Sequence, residues 1–159
     1  MSIDLLTIDP GYRYVAVAEF SDRVLKFGDM LEAEPCPEWS KLTLQPPNFS
    51  YFRNYLNSKT WEQRRAIIEY PIILKSTPNT EDILKLTAAC GAYTAILQSE
   101  GFKVVWVRPR QWKGTVPKEI MLKRIVDRLT ESEYSVIANT ANHNILDAVG
   151  IGLWQLKRL

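Results

Sequence analysis

The sequence predicts an α/β fold: a central mixed five-stranded sheet, its first three strands antiparallel, flanked by helices. Three observations carry this prediction. Ile3 to Ile8, Ala66 to Ile68 and Lys103 to Val107 are short apolar runs of the kind that form buried strands. Stretches beginning near Ser50, Thr80, Pro117 and Asn142 carry apolar residues at helical spacing instead. Two of the strands also finish alike, in a carboxylate followed closely by proline: Asp9-Pro10 and Glu69-Tyr70-Pro71. At 159 residues and 46% hydrophobic, the chain reads as one domain, 1–159, with a substantial core.

The first strand leads into Ile8-Asp9-Pro10-Gly11. A charge at the end of a buried strand is not something folding asks for, which makes Asp9 a functional candidate. The alternative is an aspartate that merely starts the Pro-Gly turn by accepting from backbone amides. Arg13 to Phe20 reads as a second strand and Arg23 to Gly28 as a half-exposed third, joined at Ser21-Asp22. Asp29 to Gln45 is acidic and contains Pro35 and Pro37, so an irregular excursion is expected there. Asn48 or Ser50 is expected to cap a helix running to about Ser58, with Phe49, Phe52, Tyr55 and Leu56 on its apolar side.

The fourth strand ends at Glu69. If it lies beside the first, Asp9 and Glu69 come within about 5 Å, the spacing of neighbouring strands; otherwise Glu69 is an exposed strand-end acid. After a polar loop, Lys75 to Asn79, a helix is expected from Thr80 to about Gln98, with Glu81 and Asp82 at the favourable end of its dipole. Ala88, Ala89, Gly91, Ala92 and Ala95 crowd its middle. Gly91 costs about 1 kcal/mol there relative to alanine, so another backbone is expected close by, from this sheet or a second subunit. Gly101 ends the helix and Lys103 to Val107 forms the fifth strand. Pro117 opens a helix carrying Lys118, Lys123, Arg124 and Arg128, with Ile120, Ile125 and Leu129 facing inward. The last helix opens near Asn142, with Ile145, Leu146, Val149, Leu153 and Leu156 as its stripe and Lys157-Arg158 complementing its C-terminal dipole.

Charge is distributed unevenly. Residues 1–102 carry a net −3, residues 103–128 a net +6 and residues 129–159 a net −1. The basic block suits a polyanion such as nucleic acid, or is a solvated helix face. Cys36 and Cys90 lack metal-ligand or disulfide spacing and read as reduced thiols. There is no basic-then-apolar leader and no run of eighteen apolar residues, so the expected location is cytoplasmic and no membrane contact is expected. A single histidine, His143, excludes a multi-imidazole zinc site, and no G-x-S-x-G or P-loop pattern occurs.

Asp147 lies on the last helix with Asn144 and His143 one turn before it, on the same side. If that helix packs beside the two strand ends, Asp9, Glu69, Asp147 and the Asn144 oxygen share one pocket. An all-oxygen set suits Mg²⁺, and three carboxylates can hold two ions. Two such ions activate a water and stabilise the leaving oxygen of a phosphodiester. His143 either caps the helix or faces solvent, or it positions the water or metal.

The ordered motifs Ile8-Asp9-Pro10-Gly11, Ile68-Glu69, Pro109-Arg110-Gln111-Trp112-Lys113-Gly114-Thr115-Val116 with Lys118, and Leu146-Asp147-Ala148 with Ile151-Gly152-Leu153 resemble the RuvC-type Holliday-junction resolvases, bacteriophage-type members most closely. The resemblance implies an RNase H-like fold, a homodimer and Mg²⁺-dependent paired nicking of four-way DNA junctions, Mn²⁺ being the other candidate ion. It implies that Asp9, Glu69 and Asp147 are catalytic metal ligands and that Arg110, Lys113 and Lys118 hold the DNA backbone. Two departures stand out. Where the family has an Asp or His three residues before the final Asp, this chain has Asn144, with His143 one residue earlier. The family's Gly-rich insertion after Thr-Val is nearly missing. The family's junction wedge corresponds to the neighbourhood of Tyr70 and Ile72; Tyr70 stacks on a base there or simply packs beside Pro71. Trp112 likewise stacks on bases or anchors its loop to the core. The alternatives to a junction resolvase are an RNase H-like nuclease of broader branched-DNA specificity and a junction-binding protein weakened in catalysis by Asn144.

Overall fold

Strand β1 (Leu5–Pro10) is the spine of the sheet. It pairs antiparallel with β2 (Tyr14–Ser21) on one side and parallel with β4 (Arg65–Glu69) on the other. The outer strands are β3 (Val24–Glu32), antiparallel to β2, and β5 (Lys103–Val107), parallel to β4, giving the order β3-β2-β1-β4-β5. This is the expected mixed α/β sheet, its first three strands antiparallel. The computed structural model describes residues 2–32, 49–72 and 80–159.

Alternation along β1 sends Leu6 and Ile8 into one core and Leu5 into the other, because successive side chains leave opposite faces. The first core is roofed by α1 (Ser50–Asn57) and α2 (Thr80–Ser99), where Phe52, Leu56, Tyr93 and Leu97 are buried. The second is roofed by α4 (Lys118–Arg128), α5 (Glu131–Ile137) and α6 (His143–Gln155), with the short α3 (Pro109–Trp112) at its edge. Helix α6 is buried nearly all round rather than along one stripe: Ile145, Asp147, Ala148, Val149, Gly150, Ile151, Gly152 and Leu153 are all buried. It lies close on the sheet because Gly152 leaves room for the Phe20 ring, which a Cβ would strike.

Several local expectations are corrected. Strand β3 continues to Glu32, because Met30 and Leu31 pair with Ala16 and Val15; the remainder of the segment expected to be irregular, with Cys36, lies outside the described residues. The β2–β3 hairpin turns on Asp22 and Arg23, whose φ values of 50° and 66° are those of a two-residue primed turn. Helix α1 receives no side-chain cap from Ser50, which is already helical; Asn48 and the Lys75–Asn79 loop lie outside the described residues. On α4, Met121 and Ile125 form the buried pair, whereas Ile120, one position off that face, is 49% exposed. Helix α5 was not anticipated. Thr130 caps it, its hydroxyl accepting from the Glu133 amide while the Glu133 carboxylate accepts from the Thr130 amide. Arg158 does not serve the dipole of α6; its guanidinium lies on Glu133 at 2.6 Å. No atom lies within 4 Å of where a Gly91 Cβ would be, so within this chain no backbone crowds it among the described residues.

Candidate active site

Because β1 and β4 run parallel with Ile8 opposite Ile68, the next residue on each, Asp9 and Glu69, leaves the sheet at the same level. Alternation puts both on the α6 face, with Leu5 and Ile67 below them. The crevice at the carboxyl ends of parallel strands is where open α/β sheets commonly bind ligands. Helix α6 crosses that face and brings Asp147, 8% exposed, to the same end. Thr7 fixes the spacing: its fully buried hydroxyl donates to the Ala148 carbonyl at 2.7 Å, tying the residue after Asp147 to the strand two residues before Asp9.

The turn after Asp9 is held just as firmly. A Cβ on Gly11 would run into the Tyr14 carbonyl oxygen, so the Pro10-Gly11 bend admits no larger residue without a backbone shift. Beneath it the buried Tyr93 hydroxyl donates to the Gly11 carbonyl at 3.3 Å and shares a 2.5 Å hydrogen bond with Tyr51. The Cys90 thiol, pushed up to about 12 by burial and then by Asp9 and Glu69, donates to the Glu69 carbonyl at 3.7 Å and is a packing group rather than a nucleophile.

Helix α3 forms the third wall. Its Trp112 is 4% exposed, and its indole N–H donates to Glu69 Oε2 at 2.5 Å. A buried indole offers no face to a base. Of the two readings of Trp112, the structure therefore carries the anchor: the ring fixes the loop and orients a carboxylate. Lys113 follows, its Nζ 3.4 Å from Glu69 Oε2, 3.7 Å from Asp147 Oδ2 and 4.7 Å from the Trp112 ring centroid. Gly114, at φ +61°, then turns the chain by a left-handed conformation that other residues rarely adopt.

The carboxylates repel one another. Burial, then Glu69 and Asp147, hold the Asp9 carboxyl well above the usual carboxylate range, against the opposing pull of Lys113 and Lys118. Burial also raises Glu69, with Asp147 adding to it, while Lys113 and the Trp112 hydrogen bond oppose the rise. Three carboxylates thus meet two lysines in a site whose donors are oxygens alone, which is the chemistry a hard divalent cation satisfies. As the side chains stand, no three His, Cys, Asp or Glu among the described residues are gathered tightly enough to grip a metal; an ammonium bridges two of the acids instead.

The other expected residues fall around this centre. Asn144 is half-buried one turn before Asp147, while His143 is exposed at the first position of α6, and the helix is capped by neither. Asn142 caps it, accepting from the amides of Asn144 and Ile145. Tyr70 is half-buried, its ring stacked on Trp106 with centroids 4.6 Å apart, so one face is already covered. Arg110 and Lys118 are exposed on the rim. Sequence reasoning missed Thr7 and Trp106. A lone threonine in an apolar strand was the available signal for the first, since a buried hydroxyl needs a partner.

No protein-family model matches the chain, and no curated protein does. Solved structures do. RuvC of Thermus thermophilus in complex with a Holliday junction substrate is similar at a TM-score of 0.65 and 18% identity, over 98% of this chain and 93% of that one. A second T. thermophilus RuvC structure gives 0.62 and 16%, over 96% and 92%. The yeast mitochondrial Holliday junction resolvase Ydc2 gives 0.60 and 15%, over 99% and 82%. This chain has the fold of those proteins.

Proposed function

We propose that this protein is a metal-dependent, structure-selective DNA endonuclease that resolves four-way junctions by paired nicking. The observation that carries the proposal is the convergence of Asp9, Glu69 and Asp147 at the carboxyl end of β1 and β4 under a basic loop, on the fold that RuvC and Ydc2 share. Asp9, Glu69 and Asp147 hold Mg²⁺ or Mn²⁺, two ions fitting three carboxylates, and Asn144 or His143 completes the set. The ions supply Lewis-acid activation of a water and stabilisation of the leaving oxygen. Arg110, Lys113 and Lys118 hold backbone phosphates, and Tyr70, braced by Trp106, faces the junction centre.

Two nicks on a two-fold junction call for two sites, hence a homodimer. The open face of α2 around Gly91, with the exposed Leu84, Val105 and Trp106 nearby in the fold, is where a second copy fits best. No helix among the described residues is long and apolar enough to cross a membrane. The substrate class is tested by incubating the protein in Mg²⁺ with a labelled four-way junction beside linear duplex and flap DNA. Symmetric nicks confined to the junction support a resolvase; equal cutting of all three supports a broader branched-DNA nuclease; a gel shift without product supports a binding protein. Lys113→Ala with Lys118→Ala should weaken junction binding and flatten the slope of log K against log salt by about 1.8, at about 0.9 per lost phosphate contact on duplex. An unchanged slope would return these lysines to an ordinary solvated surface.

A further inference from the structure

Lys113 sits on the boundary between the carboxylate cluster and an arginine-lined cavity. On one side its ammonium bridges Glu69 and Asp147 at 3.4 and 3.7 Å. On the other it lines an open cavity of about 630 Å³ together with Arg110, Arg124 and Arg128. None of those three arginines forms an ion pair with a carboxylate among the described residues. Arg124 and Arg128 stand one turn apart on α4, so both guanidinium groups reach the same space. On one side Lys113 and Lys118 face three acids, and on the other three arginines have no ion-pair partner among the described residues, with one flexible side chain between the two. Trp112, buried and bonded to Glu69, keeps the base of that side chain in place whichever way it turns.

We propose that Lys113 is an exchangeable resident cation: a divalent ion entering the carboxylate cluster displaces its ammonium, which turns to meet a nucleic-acid backbone phosphate held in the cavity by Arg110, Arg124 and Arg128. This rests on the nuclease reading above and adds to it a second phosphate position, on α4, and a coupling between metal and DNA. Without DNA, an ammonium released by the metal would join three arginines that have no ion-pair partner among the described residues, so it resists release and competes with the metal. With a phosphate in the cavity the ammonium has a partner there, and the competition ends. Metal and DNA then favour each other's binding, and by linkage each tightens the other by the same factor. The chain thereby keeps the acids from holding metal strongly until a backbone lies beside them.

The test is calorimetric titration of Ca²⁺ into the full chain at fixed ionic strength, with and without a short DNA duplex, for the wild type, Lys113→Gln and Lys113→Arg. Without DNA, K113Q should bind Ca²⁺ about tenfold more tightly than wild type, within the usual span of a coupling between two sites. With DNA the two should agree within about threefold, because the wild-type ammonium has left. K113R keeps the charge and should follow the wild type. Arg124→Ala with Arg128→Ala should shrink the wild-type gain from DNA while leaving Ca²⁺ affinity in its absence unchanged. Equal or weaker Ca²⁺ binding by K113Q without DNA overturns the exchange and leaves the nuclease reading standing. If no variant binds Ca²⁺ with or without DNA, the nuclease reading fails and the exchange with it.

Discussion

Asp9→Asn should abolish junction nicking while raising thermal stability. The loss of activity follows from the ligand role proposed for Asp9, which ends β1 beside β4 and feels the charges of both Glu69 and Asp147. Even groups that merely orient a metal ligand typically contribute 10–100-fold, so a ligand itself should cost more than about a hundredfold. The gain in stability follows from the direction of its shift. Burial first, then Glu69 and Asp147, hold the folded-state carboxyl above its ordinary value, so ionising it at neutral pH is harder in the folded chain than in the unfolded one. Its charge therefore opposes folding, and the opposition fades as pH falls through the raised value. Removing the charge should recover about 1 kcal/mol, the usual gain at one unfavourable site, or about 3 °C in a chain of this size. Melting in chelator checks the sign. Mg²⁺ should raise the wild-type Tm through binding to the folded state and move the variant less. A variant that nicks at the wild-type rate would remove Asp9 from the site.

Glu133→Ala should destabilise the chain by about 3–5 kcal/mol, the usual cost of stripping one partner from a buried ion pair, lowering Tm by about 10 °C. The reason lies in what this one carboxylate holds. Oε1 accepts from the Leu25 amide at 2.8 Å and from Arg158 at 2.6 Å; Oε2 accepts from Arg158 at 2.7 Å and from the Thr130 amide at 2.9 Å. Glu133 is 1% exposed, so alanine would leave the Arg158 guanidinium without its carboxylate and two amides without an acceptor. The Arg158 hydrogen bonds lower its carboxyl from an ordinary 4.5 to about 2. A depressed acid stabilises the fold above its unfolded value and ceases to below its folded one, so this contribution should drain away between about pH 4.5 and about pH 2. Glu133→Gln should flatten the acid limb of a Tm-against-pH curve over that window. An unchanged limb would mean the pair contributes no linkage.

Much of the site was legible because its signals are local. A carboxylate at the end of each of two apolar strands is visible in the chain, whereas the parallel pairing that brings the two ends level is seen only in the fold. Asp147 was visible as an acid among the most apolar residues of the last helix. What could not be read depends on tertiary packing. Trp112 among cations looks the same whether it meets a base or a core, and only the placement of α3 against Glu69 decides it. Ile120 and Met121 are adjacent apolar residues, and which one turns inward is set by where α4 docks. Arg158 suited a helix dipole on sequence grounds, yet its partner lies on α5, a helix whose Thr130-x-x-Glu133 signature was present in the chain and passed over. His143 is exposed and Asn144 half-buried on the helix of Asp147, a difference in burial that spacing alone could not rank.

The most direct test of the central claim maps nicks on a four-way junction whose strands are end-labelled one at a time, in Mg²⁺ and in chelator. The account predicts nicks at symmetry-related positions on two opposing strands in Mg²⁺, and none in chelator or with Asp9→Asn. A junction that shifts on a gel yet stays uncut in Mg²⁺, or is cut equally well in chelator, would contradict it.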